Sequence, residues 1–206
     1  MKKVGIMGGS FNPIHIGHLI IAEKAREQFA LDEVLFMPCA LNYMKDASEL
    51  LPSSIRAKMV SLAIEDNPFF TLSTMEIDKE GNTYTYETME SLKSQNPDNE
   101  YYFILGADSL WTIADWREPE RIFASCTILA AVRDNKTTRD MNKQIKLLKD
   151  EFNADIYLLQ AENIEISSSN IRKLVREGAS IRYMVPEAVY DYIVENALYK
   201  SDILKC

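Results

Sequence analysis

Short apolar runs alternate along the chain with stretches whose apolar residues recur at helical spacing. Runs at 4–7, 34–37, 70–72, 101–105, 127–132 and 156–159 are three to six residues long and rich in β-branched and aromatic types, the mark of strands buried on both faces. Between them Leu19, Ala22, Ala25 and Phe29 make one helical face, Ile55, Met59, Leu62 and Ala63 a second, and Met141, Ile145, Leu148 and Phe152 a third. Late in the chain Ile171, Leu174 and Val175 make a fourth, and Val189, Tyr192, Ile193 and Ala197, opened by Pro186, a fifth. Core packing accounts for every stripe. Strand and helix taking turns imply right-handed crossovers, hence an α/β fold: a Rossmann-like open, mainly parallel sheet with helices on both faces. One domain is expected across 1–206, its core at about 3–173 and its C-terminal helices at about 174–200. The weakly patterned stretch at 38–52 is long enough to suggest a functional loop.

Composition narrows the function by exclusion. With 47% hydrophobic and 26% charged residues among 206, the chain is an ordinary globular one. Its 23 basic against 31 acidic residues give a net charge of −8, which opposes binding to a nucleic-acid polyanion. Cys39, Cys126 and Cys206 are widely spaced and form neither a disulfide framework nor a zinc pattern. The start, Met-Lys-Lys followed by five mostly apolar residues, is too short for a signal-peptide core, and no run reaches the roughly 18 apolar residues of a membrane span. A cytoplasmic protein with no membrane partner is expected.

In open α/β sheets ligands sit at the carboxyl ends of the strands, and the loop after the first strand carries the most chemistry. It reads Gly8-Gly9-Ser10-Phe11-Asn12-Pro13-Ile14-His15-Ile16-Gly17-His18. Gly8 and Gly9 are expected to adopt positive φ and let the backbone cradle a phosphate. The dinucleotide fingerprint is absent, because neither its glycine spacing nor its acidic residue after the second strand is present. The chain has two histidines, His15 and His18, and both fall here at the start of a helix, where the dipole favours an anion. Residues three apart share a helical face. A metal site lacks a third ligand in this loop, so phosphate contact by imidazole N–H donors is the better reading.

Residues 8–18 resemble the G-G-x-F-[D/N]-P-x-H-x-G-H signature of the HIGH-type nucleotidyltransferases, and 15–18 are literally His-Ile-Gly-His. Further segments are similar to the bacterial nicotinate mononucleotide adenylyltransferases within that superfamily. Ile166-Ser167-Ser168-Ser169-Asn170-Ile171-Arg172 resembles I-S-S-T-x-I-R, with Ser169 in place of Thr, and also reads as a helix N-cap with Arg172 in the first turn. Leu105-Gly106-Ala107-Asp108 resembles L-G-x-D, where Asp108 could equally be an N-cap. Trp116 falls where the family has a Trp, and Arg117 departs from the aromatic or His that usually follows. The segment from Glu76 to Thr85 resembles E-x-x-R-x-G-x-S/T-Y-T with Lys79 for Arg; read on its own, it is a Gly81-Asn82 turn before a cap at Thr83 or Thr85. After the second strand the usual Pro-Pro-His is missing but Lys45 keeps its position, and Arg56 and Met59 match R-x-x-M. Arg133 is either a phosphate contact or a surface residue.

The resemblance implies adenylyl transfer from ATP to nicotinate mononucleotide, with Mg²⁺ held mainly by the ATP phosphates and no metal site of the protein's own. It implies that His15, His18, Lys45 and Arg172 are catalytic. Gly8, Gly9, Ser10, Phe11, Gly106, Asp108, Ile166, Ser167 and Ser168 would join the two histidines and Arg172 around ATP. Asn12, Lys45, Thr83, Tyr84, Thr85, Trp116 and Arg117 would hold the nicotinate nucleotide. Two alternatives stay open: a related transferase using nicotinamide mononucleotide or another phosphorylated acceptor, and a noncatalytic nucleotide-binding module. A homo-oligomer is compatible with the sequence, and the tail at 199–206 has no assigned role.

Overall fold

A computed structural model describes residues 1–40, 50–79, 81–131, 138–161 and 165–200. Six strands, β1 (Lys3–Gly9), β2 (Glu33–Pro38), β3 (Phe70–Leu72), β4 (Glu100–Gly106), β5 (Thr127–Ala131) and β6 (Ile156–Leu159), form one sheet in the order β3-β2-β1-β4-β5-β6. Every neighbouring pair is parallel. All six expected strands are present, and the sheet is wholly rather than mainly parallel. The order reverses between β1 and β4, which makes their carboxyl ends the topological switch point where such sheets bind ligands.

The described helices are α1 (Ile16–Phe29), α2 (Ser53–Ile64), α3 (Thr85–Gln95), α4 (Ala107–Thr112), α5 (Pro119–Ser125), α6 (Thr138–Phe152), α7 (Ser168–Arg176) and α8 (Glu187–Glu195). They cover both faces of the sheet. On one, Val4, Ile6, Tyr101, Phe103, Leu105, Ile128 and Ala130 pack against Met89 and Leu92 of α3, Ile122 and Phe123 of α5, and Met141 and Leu148 of α6. On the other, Met7, Val34, Phe36, Ile104, Leu129 and Ala131 meet Ala22 and Ala25 of α1, Met59 and Val60 of α2, Ile171 of α7, and Val189 and Ile193 of α8. Successive residues of a strand point to opposite faces, so strands covered twice read as unbroken apolar runs. The five helical stripes lie on α1, α2, α6, α7 and α8. Ala197 falls beyond the end of α8, at φ 50.

Candidate active site

The first loop departs from expectation in how it turns. Gly8 and Gly9 remain strand residues, in register with Met37 and Pro38 of β2, and neither takes a positive φ; the left-handed residue is Phe11, at φ 45. The strand ladder through Gly9 holds both glycines extended. Glycine is needed there for close approach: a Cβ on Gly8 would lie 3.3 Å from the Phe103 ring, and one on Gly9 3.3 Å from the Phe11 ring. Phe11 and Ile14 are fully buried and anchor the loop.

His15 is the N-cap of α1. Its backbone N–H donates to His18 Nδ1 at 3.2 Å, while the His18 backbone N–H donates to the His15 carbonyl at 2.9 Å. The rings stack with centroids 3.7 Å apart, and the edge of Phe11 closes on His18 at 5.1 Å. His15 is 2% exposed, whereas His18 is half-buried. With Nδ1 accepting, the neutral His18 ring carries its proton on Nε2. No acidic residue stands in the first turn of α1, so the positive end of the helix dipole is uncompensated there and suits an anion.

A second helix N-terminus meets the same loop. Ser167 caps α7 by accepting from the Asn170 N–H at 3.2 Å, as its position before the amphipathic stripe predicts. Ser168 Oγ donates to the Pro13 carbonyl at 2.8 Å, and Arg172 Nη1 to the Asn12 carbonyl at 3.0 Å. Arg172 is the fifth helical residue, so it lies in the second turn of α7 rather than the first. Ile166 and Ser167 precede it, both half-buried. Lys45 and Arg133 lie outside the described residues.

Arg56, matched to R-x-x-M without a role, and Tyr199, in the tail without one, hold this loop from behind. Arg56 is fully buried and donates to four carbonyls: Ser10 at 2.7 Å, Cys39 at 2.7 Å, Ala40 at 3.1 Å and Leu51 at 2.9 Å. Burial lowers its pKa, yet a guanidinium remains charged. It ties the first loop to both flanks of the 41–49 segment. The buried Asn12 side chain accepts through Oδ1 from the Tyr199 hydroxyl at 2.9 Å and from the Leu51 N–H at 3.4 Å. No local pattern could show these contacts, the longest of which spans 187 residues.

On the β4 side, Gly106 is the N-cap of α4 and Asp108 is an exposed residue of its first turn, so the N-cap alternative for Asp108 does not hold. Neither does a threonine cap for α3. Its N-cap is Tyr84, Thr85 is its first residue, and buried Thr83 Oγ1 instead donates to Glu76 at 3.5 Å. Thr88 Oγ1 donates to the same carboxylate at 2.8 Å. Burial pushes the Glu76 carboxyl above its usual range, against the pull of these two bonds. Arg117 Nη1 donates to the Tyr84 hydroxyl at 3.1 Å, and the guanidinium lies 4.7 Å over the Tyr84 ring. The same hydrogen bond raises the Arg117 pKa. Half-buried Trp116 donates Nε1–H to Thr112 Oγ1 at 3.4 Å and sets its edge on Phe103 at 6.3 Å. Phe103, the ring that faces Gly8, thus links Trp116 to the end of β1, while Arg117 is joined to Tyr84.

Among the described residues no three His, Cys, Asp or Glu side chains converge to hold a metal, and none of the helices is long and apolar enough to cross a membrane.

A doubly wound sheet with two helix N-termini converging on a glycine-histidine loop defines the class. The family model described as Cytidylyltransferase-like matches residues 6–174. Among curated proteins, the probable nicotinate-nucleotide adenylyltransferase of Lachnoclostridium phytofermentans is 46% identical over 199 residues, covering 97% of this chain and 100% of that one. Its counterpart in Lactiplantibacillus plantarum is 40% identical, covering 98% and 90%. The chain belongs to the cytidylyltransferase-like family and, within it, to the nicotinate-nucleotide adenylyltransferases. The same fold recurs in the nicotinic acid mononucleotide adenylyltransferase of Plasmodium falciparum, at 24% identity and a TM-score of 0.80 over 97% of this chain and 98% of that one. A Vibrio parahaemolyticus chain titled a putative nicotinate-nucleotide adenylyltransferase has it too, at 22% identity and a TM-score of 0.70 over 98% and 97%.

Proposed function

We propose that this protein transfers the adenylyl group of ATP to nicotinate mononucleotide, forming nicotinate adenine dinucleotide and pyrophosphate in NAD biosynthesis. The observation that carries the reading is the stacked His15–His18 pair at the N-terminus of α1, joined through Asn12 and Pro13 to the N-terminus of α7. The relatives' shared name supports it, as does the Plasmodium falciparum structure, whose title describes a complex with NaAD.

A 5′-phosphate oxygen of the acceptor attacks the α-phosphorus; a new P–O bond forms, the bond to the α,β-bridging oxygen breaks, and pyrophosphate departs with that electron pair. Such a displacement requires in-line positioning and stabilisation of charge on the phosphoryl oxygens. His18 supplies an oriented Nε2–H donor, and buried His15 holds it in place. Arg172 and Lys45 add positive charge, while Gly8, Gly9, Ser10 and Phe11, with Gly106, Asp108 and the start of α7, bound the ATP site. Trp116 offers a flat face to the pyridine ring, with Asn12, Thr83, Tyr84, Thr85 and Arg117 around the rest of the acceptor.

Mg²⁺ neutralises phosphate charge when bound. When bound, its oxygens would come mainly from the ATP phosphates and water rather than from protein side chains. We place the reaction in the cytoplasm, on one domain spanning the chain. Incubating the protein with Mg-ATP and either nicotinate or nicotinamide mononucleotide, then measuring pyrophosphate, tests the reading. Release with the nicotinate nucleotide supports it, and release with neither overturns it.

A further inference from the structure

The end of the chain reaches back into the loop that carries the histidines. Beyond α8 the backbone takes two left-handed residues, Ala197 at φ 50 and Tyr199 at φ 62, while the Leu198 N–H donates to the Ile193 carbonyl at 3.0 Å. Such conformations persist only where the surroundings hold them. The Tyr199 hydroxyl donates to Asn12 Oδ1 at 2.9 Å in the field of Arg172 and Arg56. Burial raises the phenol's pKa, so the hydroxyl keeps its proton and remains a donor.

Asn12 is the point on which the loop's supports converge. Its side-chain oxygen takes two donors, Tyr199 and the Leu51 N–H, and its backbone carbonyl takes Arg172. Neighbouring carbonyls are held likewise, Ser10 by Arg56 and Pro13 by Ser168. The two ends of an Asn amide are nearly isosteric, and donors on the oxygen settle which way it points.

We propose that Tyr199 is a positioning residue for adenylyl transfer: its hydroxyl fixes the orientation of the Asn12 side chain and, through it, of the segment leading to His15 and His18. The C-terminal segment thus completes the site. The proposal rests on the adenylyl-transfer reading.

The test is a double-mutant cycle on the full chain, with turnover followed by pyrophosphate release and folding by thermal melting. Tyr199→Phe removes one oxygen and keeps the ring. It is expected to lower kcat about tenfold or more while KM for ATP moves by less than about threefold. In an Asn12→Ala background the same change should cost nothing further, whereas in Asn12→Asp, which keeps an acceptor for the hydroxyl, it should still cost activity. A Tyr199→Phe enzyme within twofold of wild type, or an equal loss in the Asn12→Ala background, overturns the proposal. Wild-type protein that releases no pyrophosphate overturns the adenylyl-transfer reading instead, so the two failures are distinct. If Tyr199→Phe does not fold, comparing Asn12→Asp with Asn12→Ala decides. Retention of more activity by the aspartate variant supports the proposal, and equal loss contradicts it.

Discussion

The His15 backbone N–H donates to His18 Nδ1 at 3.2 Å, and the two imidazoles stack 3.7 Å apart. The cap of α1 thereby selects the tautomer of the ring it supports and places the ring proton on Nε2. His18→Ala removes that donor from the half-buried ring and leaves buried His15 in place. We expect kcat to fall by about 10²-fold or more, the order seen for loss of one preorganised donor, with the melting temperature little changed. Near-normal turnover in the folded variant would show that His18 does not stabilise the reacting phosphate.

Arg117 stands where an aromatic or histidine is usual in the family it resembles, and it is held against Tyr84 by a hydrogen bond and a ring contact. Beside the residues proposed to hold the acceptor, a guanidinium would favour a pyridine carboxylate over a carboxamide. For Arg117→Gln the ratio of kcat/KM for nicotinate over nicotinamide mononucleotide should fall about fivefold at low salt and less at high salt, because the group is exposed. An unchanged ratio would remove Arg117 from acceptor choice.

Arg56 binds four carbonyls from a fully buried position. Arg56→Met fills much of the same volume but leaves those oxygens without their donor, so a loss of about 3 kcal/mol or more in unfolding free energy is expected. Urea denaturation measures it. A loss below about 1 kcal/mol would mean that water or a local shift satisfies the carbonyls.

Most of the fold was legible in the sequence because its strands are buried on both faces and the core residues of α1, α2, α6, α7 and α8 recur at helical spacing. Helices α3, α4 and α5 were harder to read. The buried residues of α3 include Thr88, whose hydroxyl serves Glu76, so its inward face is not purely apolar, and α4 has only six residues. The histidine loop was legible as a motif, but its turn was assigned to Gly8 and Gly9 when Phe11 makes it. What lay beyond the sequence was the set of long-range bonds from Arg56 and Tyr199, which depend on tertiary contact.

Glu76 supplies a pH dependence whose sign is fixed. Burial raises its pKa in the folded protein, so the native state holds the proton more tightly than the unfolded chain does. Its stabilising contribution is therefore complete below the unfolded value and is lost as pH rises through the folded one. Glu76→Gln keeps an acceptor for Thr83 and Thr88 without a charge to bury. The variant should melt higher than wild type at pH 7.5, with the gap closing toward pH 4. A variant that melts lower at pH 7.5 would contradict this.

Isotopic labelling of ATP distinguishes adenylyl transfer from transfer of any other part of the nucleotide. With Mg-ATP labelled at the α-phosphorus and nicotinate mononucleotide as acceptor, the label should appear in the dinucleotide. With label at the γ-phosphorus it should appear only in pyrophosphate. Transfer of the γ label to the acceptor, or no transfer of the α label, would rule out adenylyl transfer.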